Sequence, residues 1–201
     1  FETRARALMT YPRVRLGNDN LGLCKLPWVD VFNPDSLRRG DTDIYINPAS
    51  QELYADFYNG MFGTALTWEK IFEQTDRDIN LQRVMNVLSF GASTGERDWI
   101  PDRAIGPTEE ALYKREADYH DRELSSVLKK PLGEVQMMDE AEKLEILMTH
   151  RKEELRKLIV FYYRQRGWTD TGIPKVETLK QIGLWQYLSD EAKETITVMN
   201  G

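Results

Sequence analysis

The chain has 201 residues but only one cysteine, Cys24, and two histidines, His120 and His150. A single thiol makes no internal disulfide, and it holds no metal centre without ligands from elsewhere. The two histidines fall on separate predicted helices, so no spacing suggests a shared zinc site. Basic excess is missing too: Lys and Arg number 27 against 33 Asp and Glu, a formal net charge of −6. A nucleic-acid binder needs a basic footprint to displace counterions from phosphates, and the totals offer none. No run of about 18 apolar residues is present to span a membrane. The start of the sequence shows no basic segment followed by an apolar one, the pattern of a secretory signal. With one thiol, the simplest compartment is cytoplasmic. Gly-x-x-x-x-Gly-Lys, His-Glu-x-x-His and Cys-x-x-Cys are all absent, which removes the common stand-alone catalytic signatures.

What is present describes a folded chain. Apolar residues make up 41% and charged residues 30%, close to globular averages, and the length supports one sizeable core or two small ones. The first residue is Phe1, which fits a processed product or a piece of something longer. Pro12, Pro27, Pro34 and Pro48, with Gly17, Gly22 and Gly40, predict mostly loop over residues 10–48, since proline fixes φ and removes a donor. Leu26–Phe32 is apolar but broken by Pro27 and reads as irregular buried chain. Helical patterns dominate after that. Pro48 suits the first turn of a helix towards Gly60, and Thr67 is a candidate N-cap for a longer one carrying Ile71, Phe72, Ile79, Val84, Met85 and Leu88. Ser89–Pro107 reads as a connecting loop. A helix from Thr108 with the stripe Tyr113, Ala117, Leu124, Leu128 stops at Pro131. Asp139 caps a second long helix that runs to Gly167. Val176–Ile182 and a Ser189-capped Asp190–Val198 close the chain. The expectation is an irregular all-α domain over residues 1–201, with a loop-rich, Gly/Pro-containing N-terminal region (1–47) and a helical body (48–201).

One segment carries unusual chemistry. Asp19-Asn20-Leu21-Gly22-Leu23-Cys24 places a carboxylate, a glycine and the only thiol within six residues. Glycine lets a ligand approach the backbone closely, Asp accepts hydrogen bonds from an amino-substituted heterocycle, and a thiolate ligates iron. The plain alternative is a buried structural cysteine beside a turn.

This Asp-x-x-Gly-Leu-Cys segment resembles the second pterin-binding motif of the aldehyde:ferredoxin oxidoreductase family. Further stations follow in the same order. Arg77, Asn80-Leu81, Arg83 and Asn86 resemble the family's Asn-Leu-x-Arg-x-x-Asn helix. Ile100-Pro101-Asp102-Arg103 is similar to its Leu-Pro-x-Arg loop. Tyr162-Tyr163, Arg166-Gly167-Trp168, Gly172-Ile173-Pro174, Leu179 and Gly183-Leu184 resemble its closing signature. The resemblance implies a C-terminal helical domain of an enzyme that holds tungsten, or molybdenum, between two pterins, with a 4Fe–4S cluster passing electrons to ferredoxin. Such enzymes oxidise aldehydes to carboxylic acids; a relative is the tungsten subunit of a benzoyl-CoA reductase. By match to the motif, Asp19 binds a pterin, Gly22 and Leu23 give it backbone contacts, and Cys24 is the last cluster ligand. The resemblance implies upstream domains of the same polypeptide as partners, and a fragment that binds no cofactor and catalyses nothing by itself. Residues 11–40 are then expected to be mobile without cofactor.

The family's other three cluster cysteines and its first pterin motif have no counterpart here. Residues 104–140 read as a helical insertion, a surface element suited to another subunit or a second copy. A helical interaction module that kept the fold and lost the chemistry is the alternative function. His120 lies on an apolar stripe near Asp118, Asp121 and Glu123, which suggests a half-buried histidine paired with a carboxylate; His150 carries no assignment. Phe161, Tyr162, Tyr163 and Trp168 read as core packing, and the Arg/Lys strip from Arg151 to Arg166 as a solvated helix face.

Overall fold

The structure, a computed structural model, describes residues 2–22 and 48–201. Ten α-helices fall among the described residues: α1 (Glu2–Asn20), α2 (Pro48–Phe62), α3 (Trp68–Phe90), α4 (Asp102–Ile105), α5 (Glu110–Arg115), α6 (Ala117–Leu128), α7 (Leu132–Gln136), α8 (Glu140–Gln165), α9 (Val176–Gln181) and α10 (Asp190–Asn200). Short 3-10 helices cover Gly91–Asp98 and Trp185–Tyr187. No strand occurs among these residues; an isolated bridge joins Trp168 to Pro174. The fold is all-α.

The chain divides into two compact units. One comprises Phe1–Thr94 with Phe161–Gly201, the other Gly95–Val160. In the first, α1, α2 and α10 pack on α3. Its apolar side chains form two clusters, one around Val14, Leu21, Tyr54 and Phe72, the other around Val84, Val87, Leu179 and Ile196. The second unit has a core of its own, built on Tyr113, Leu124, Val135 and Leu147.

Caps set several boundaries as the sequence predicts. Asp139 accepts hydrogen bonds from the N–H groups of Ala141 and Glu142 at 3.0 and 3.2 Å, and Ser189 Oγ accepts one from Ala192. Both satisfy donors that a first turn leaves unpaired. Gly167 and Gly183 follow α8 and α9 at φ +71° and +72°, the left-handed stop that glycine adopts without strain.

Three regions differ from expectation. Tyr11–Asn20 is helical, although Pro12 and Gly17 predict loop. Packing on α3 decides the matter: Val14 and Leu21 are buried there, and a Cβ at Gly17 would lie 3.4 Å from the Phe72 ring. Leu23 to Gly40, including Leu26–Phe32, lies outside the described residues. Ser89–Pro107 is not plain loop. The Ser93 and Thr94 hydroxyls donate to the carbonyls of Phe90 and Gly91 and support a 3-10 helix. The single helix expected from Thr108 breaks at Glu116, whose φ and ψ are −129° and 30°. In a continuous helix Tyr113 and Asp121 would be separated by about 12 Å of rise. The break lets the Tyr113 hydroxyl donate to Asp121 Oδ1 at 2.7 Å.

Leu147 is fully buried in the second unit's core. Leu147→Ala is expected to cost about 2–5 kcal/mol, read as a lower urea midpoint with helix content unchanged in buffer.

Candidate functional site

The motif at the end of α1 stands on a turn with an explicit anchor. The Leu21 N–H donates to the Gly17 carbonyl at 3.1 Å, the Gly22 N–H donates to the Asp19 carbonyl at 3.0 Å, and Gly22 takes φ +66°. Gly22 therefore ends the helix in the left-handed region, and a Cβ there would meet nothing within 4 Å among the described residues. Leu21 turns inward and is buried. The Asn20 carboxamide donates to Asp78 Oδ2 on α3 at 2.7 Å, so the turn is tied to the long helix beside it. Asp19 is exposed in the last turn, where the negative end of the helix dipole disfavours a carboxylate. Leu23 and Cys24 lie outside the described residues.

Asn18 was not singled out from the sequence. It is fully buried on the same turn, and neither its Nδ2 nor its Oδ1 has a hydrogen-bond partner. A signal was available: Val14, Asn18 and Leu21 stand at i, i+4 and i+7, so a carboxamide occupies an apolar-stripe position.

The remaining stations converge on α3. Arg83 Nε donates to the Gly172 carbonyl at 2.7 Å, and its guanidinium lies 4.7 Å from the Trp168 ring centroid and 5.2 Å from that of Tyr163. Trp168 Nε1 donates to Asn80 Oδ1 at 2.8 Å, and Asn80 Nδ2 donates to the Asp76 carbonyl at 2.8 Å. Arg77 Nε donates to the Ile182 carbonyl at 2.6 Å. Asp76 accepts from Arg13 on α1 at 2.7 and 2.8 Å and from Arg166 at 2.9 Å. Tyr163, Arg166 and Trp168 are buried, which fits the core reading for two of the aromatic residues and removes Arg166 from the solvated strip, while Phe161 and Tyr162 are half-buried. Asp102 pairs with Lys152 at 2.7 Å within the other unit. Apart from the α1 turn, these stations hold helices together.

A family model described as aldehyde ferredoxin oxidoreductase, domains 2 & 3, matches residues 1–184. The chain belongs to that family. The match runs through both the α1 turn and the closing signature, and the description places the chain within a larger oxidoreductase. No curated protein and no solved structure matches it.

His120 does not sit on a ligand set. Among the described residues no group of three His, Cys, Asp or Glu side chains is placed to hold a metal. His120 is buried, with Nδ1 3.2 Å from Arg151 NH2, so the partner in contact is a cation and not the expected carboxylate. Arg151 in turn donates to both oxygens of Glu123, at 3.1 and 2.7 Å. Since Arg151 only donates, Nδ1 accepts and the imidazole is neutral. Asp121 faces Lys143 at 3.2 Å besides the Tyr113 hydroxyl. Burial, then the Arg151 charge, holds the His120 pKa below 6.5. The Arg151 hydrogen bonds hold Glu123 below 4.5.

Both shifts act in one direction. A depressed folded pKa gives stability that is present above the unfolded value and lost as pH falls through the folded one. Resistance to urea is expected to fall below pH 6.5 through His120 and again below pH 4.5 through Glu123. His120→Gln should flatten the first limb and leave the second. Separately, Gly172 has φ +81°, and a Cβ there would lie 2.1 Å from Arg83 NH2. Gly172→Ala is expected to cost about 2–5 kcal/mol from left-handed strain and overpacking, measured as a drop in the urea midpoint.

Proposed function

We propose that this chain is the part of a tungsten- or molybdenum-pterin oxidoreductase that closes over one pterin and completes its iron–sulfur cluster. The reaction is aldehyde to carboxylic acid, with electrons leaving to ferredoxin. Asp19 binds the pterin, Gly22 and Leu23 contribute backbone contacts, and Cys24 supplies a thiolate to the 4Fe–4S cluster. The observation that carries the reading is the family match across residues 1–184, with the Asp-x-x-Gly-Leu-Cys segment inside it. The turn fits such a group in its donor set. It combines an exposed carboxylate at the end of α1, a left-handed glycine uncrowded among the described residues and a buried carboxamide.

When bound, the metal–pterin and cluster groups supply the electron transfers of aldehyde oxidation. This chain's residues bind and position. The Asp19 carboxylate accepts hydrogen bonds from amino-bearing ring edges. Asn20 and Arg13, held by Asp78 and Asp76, keep the end of α1 from turning away. A full cluster needs three further thiolates, so this chain alone holds none and is inactive; the missing ligands come from upstream domains of the same polypeptide. The Gly95–Val160 unit, which contains the extra segment 104–140, fits a surface element for another subunit or a second copy.

Elemental analysis for tungsten, molybdenum and iron on anaerobically purified protein tests this. Metal is expected in the full-length parent and not in this chain. In the parent, Cys24→Ser should lower cluster iron, and unchanged iron and activity would remove the ligand assignment. A parent with neither tungsten nor molybdenum favours the helical interaction module.

A further inference from the structure

Two of the four named residues in the Asn-Leu-x-Arg-x-x-Asn station are used inside the fold. Asn80 accepts the Trp168 indole N–H, and Arg83 donates to the Gly172 carbonyl. The other two, Leu81 and Asn86, are exposed. Over these turns α3 carries apolar side chains on both of its sides. Ile79, Val84 and Val87 are buried on the inner one. Leu81, Met85 and Leu88 stand at i, i+4 and i+7, so they form a single outward stripe, and each is 40% to 58% exposed. Scattered exposed apolar residues are ordinary, whereas a stripe at helical spacing is the pattern of a face that packs on something. Gln82, Asn86 and Ser89 border it, the polar rim that surrounds the apolar centre of an interface.

The family match says what packs there. It assigns this chain domains 2 & 3 of an oxidoreductase, which leaves a further domain of the same polypeptide to sit against them. The place of the stripe suits that domain. Asp78 is three residues before Leu81 on the same side of α3, and it accepts the hydrogen bond from Asn20 that ties down the α1 turn. The stripe therefore begins about one helical turn from the anchor of the proposed binding turn and runs on for two turns more. A domain that brings thiolates to meet Cys24, two residues beyond Gly22 in sequence, has to approach this end of α1. The outer side of α3 is the apolar surface beside it.

We propose that Leu81, Met85 and Leu88 form the surface on which an upstream domain of the same polypeptide docks, through an apolar patch of its own. The choice of this occupant rests on the reading above, in which upstream domains supply the remaining cluster ligands.

Methionine oxidation by dilute hydrogen peroxide tests it, because a thioether is oxidised according to its exposure. In this chain Met85 is expected to react at a rate near that of Met137, which is 86% exposed, and far faster than Met148, at 8%. In the full-length parent, Met85 should slow roughly tenfold, towards the rate of Met148. Equal Met85 rates in chain and parent overturn the inference. Slow oxidation in the dilute chain overturns it too, since this chain then covers its own stripe. Protection that grows with the concentration of this chain marks a second copy as the occupant and overturns it as well. The double variant Met85→Glu, Leu88→Glu gives a second readout. It should lower cluster iron in the parent and leave the urea midpoint of this chain unchanged. Full iron in the parent, or a fall in the midpoint of this chain, counts against a docking surface. A parent without tungsten, molybdenum or iron removes the cluster reading, and the oxidation rates then decide the docking surface by themselves.

Discussion

One carboxylate, Asp76, faces two guanidinium groups that reach it from positions 63 and 90 residues away in the chain. Arg13 brings α1 and Arg166 brings the segment after α8, so a single side chain on α3 joins three parts of the fold. The charge is unbalanced, two cations on one anion. Arg166 relieves part of this by donating to the Met9 carbonyl at 3.1 Å, which adds a second tie to α1. Removing Asp76 would strand the buried Arg166 guanidinium, whereas Arg13 is more than a third exposed and reaches solvent. The backbone of the same residue takes part as well. Its carbonyl receives Asn80, and Asn80 receives the Trp168 indole. Two turns of α3, from Asp76 to Arg83, therefore fix where α1 ends and how the chain turns after α8.

The position of the α1 turn follows from this. Asp78 lies within those two turns and accepts the hydrogen bond from Asn20, beside Asp19 and two residues before Gly22. A binding group has to be held by residues that do not themselves bind, because a flexible carboxylate loses entropy on capture. Here the restraint is local and specific. Arg13 fixes one turn of α1, Asn20 fixes the last, and Leu21 is sunk into the apolar cluster between them and α3. Asp19 remains exposed on the opposite side of a helix end that its neighbours hold.

Much of this was legible in the sequence, and the failures have physical causes. Helices with a cap and a long apolar period were readable: Asp139 begins α8, Ser189 begins α10, and Pro48 opens α2. The end of α1 was not. Pro12 and Gly17 argue for loop, since an interior proline removes a hydrogen bond and crowds the carbonyl four residues back, yet Gly17 permits the close contact with Phe72 that keeps the helix in place. Tertiary packing overrides local propensity there. The break at Glu116 depends on Tyr113 reaching Asp121, a side-chain contact that no periodicity encodes. His120 was read as half-buried and paired with a carboxylate; it is buried, and its contact is Arg151, from a helix 31 positions further on. Proximity in sequence pointed to the nearby carboxylates instead. Asn18 could have been noticed as a polar residue on an apolar stripe; its lack of partners is visible only once the helix is packed.

The closing signature shows why family membership and chemistry are read from different residues. Tyr163, Arg166, Trp168 and Gly172 are recognisable because each has a position that few substitutions fit. Gly172 sits against Arg83 with no room for a Cβ, Trp168 needs both an aromatic face for Arg83 and an N–H for Asn80, and Arg166 is buried against a shared carboxylate. These constraints concern how helices are held, and any enzyme built on this scaffold inherits them whatever it oxidises. The groups proposed to meet a ligand are fewer and cluster in one turn. That division lets a chain display its family over 184 residues while the ligand groups proposed for it are a few atoms at the end of α1.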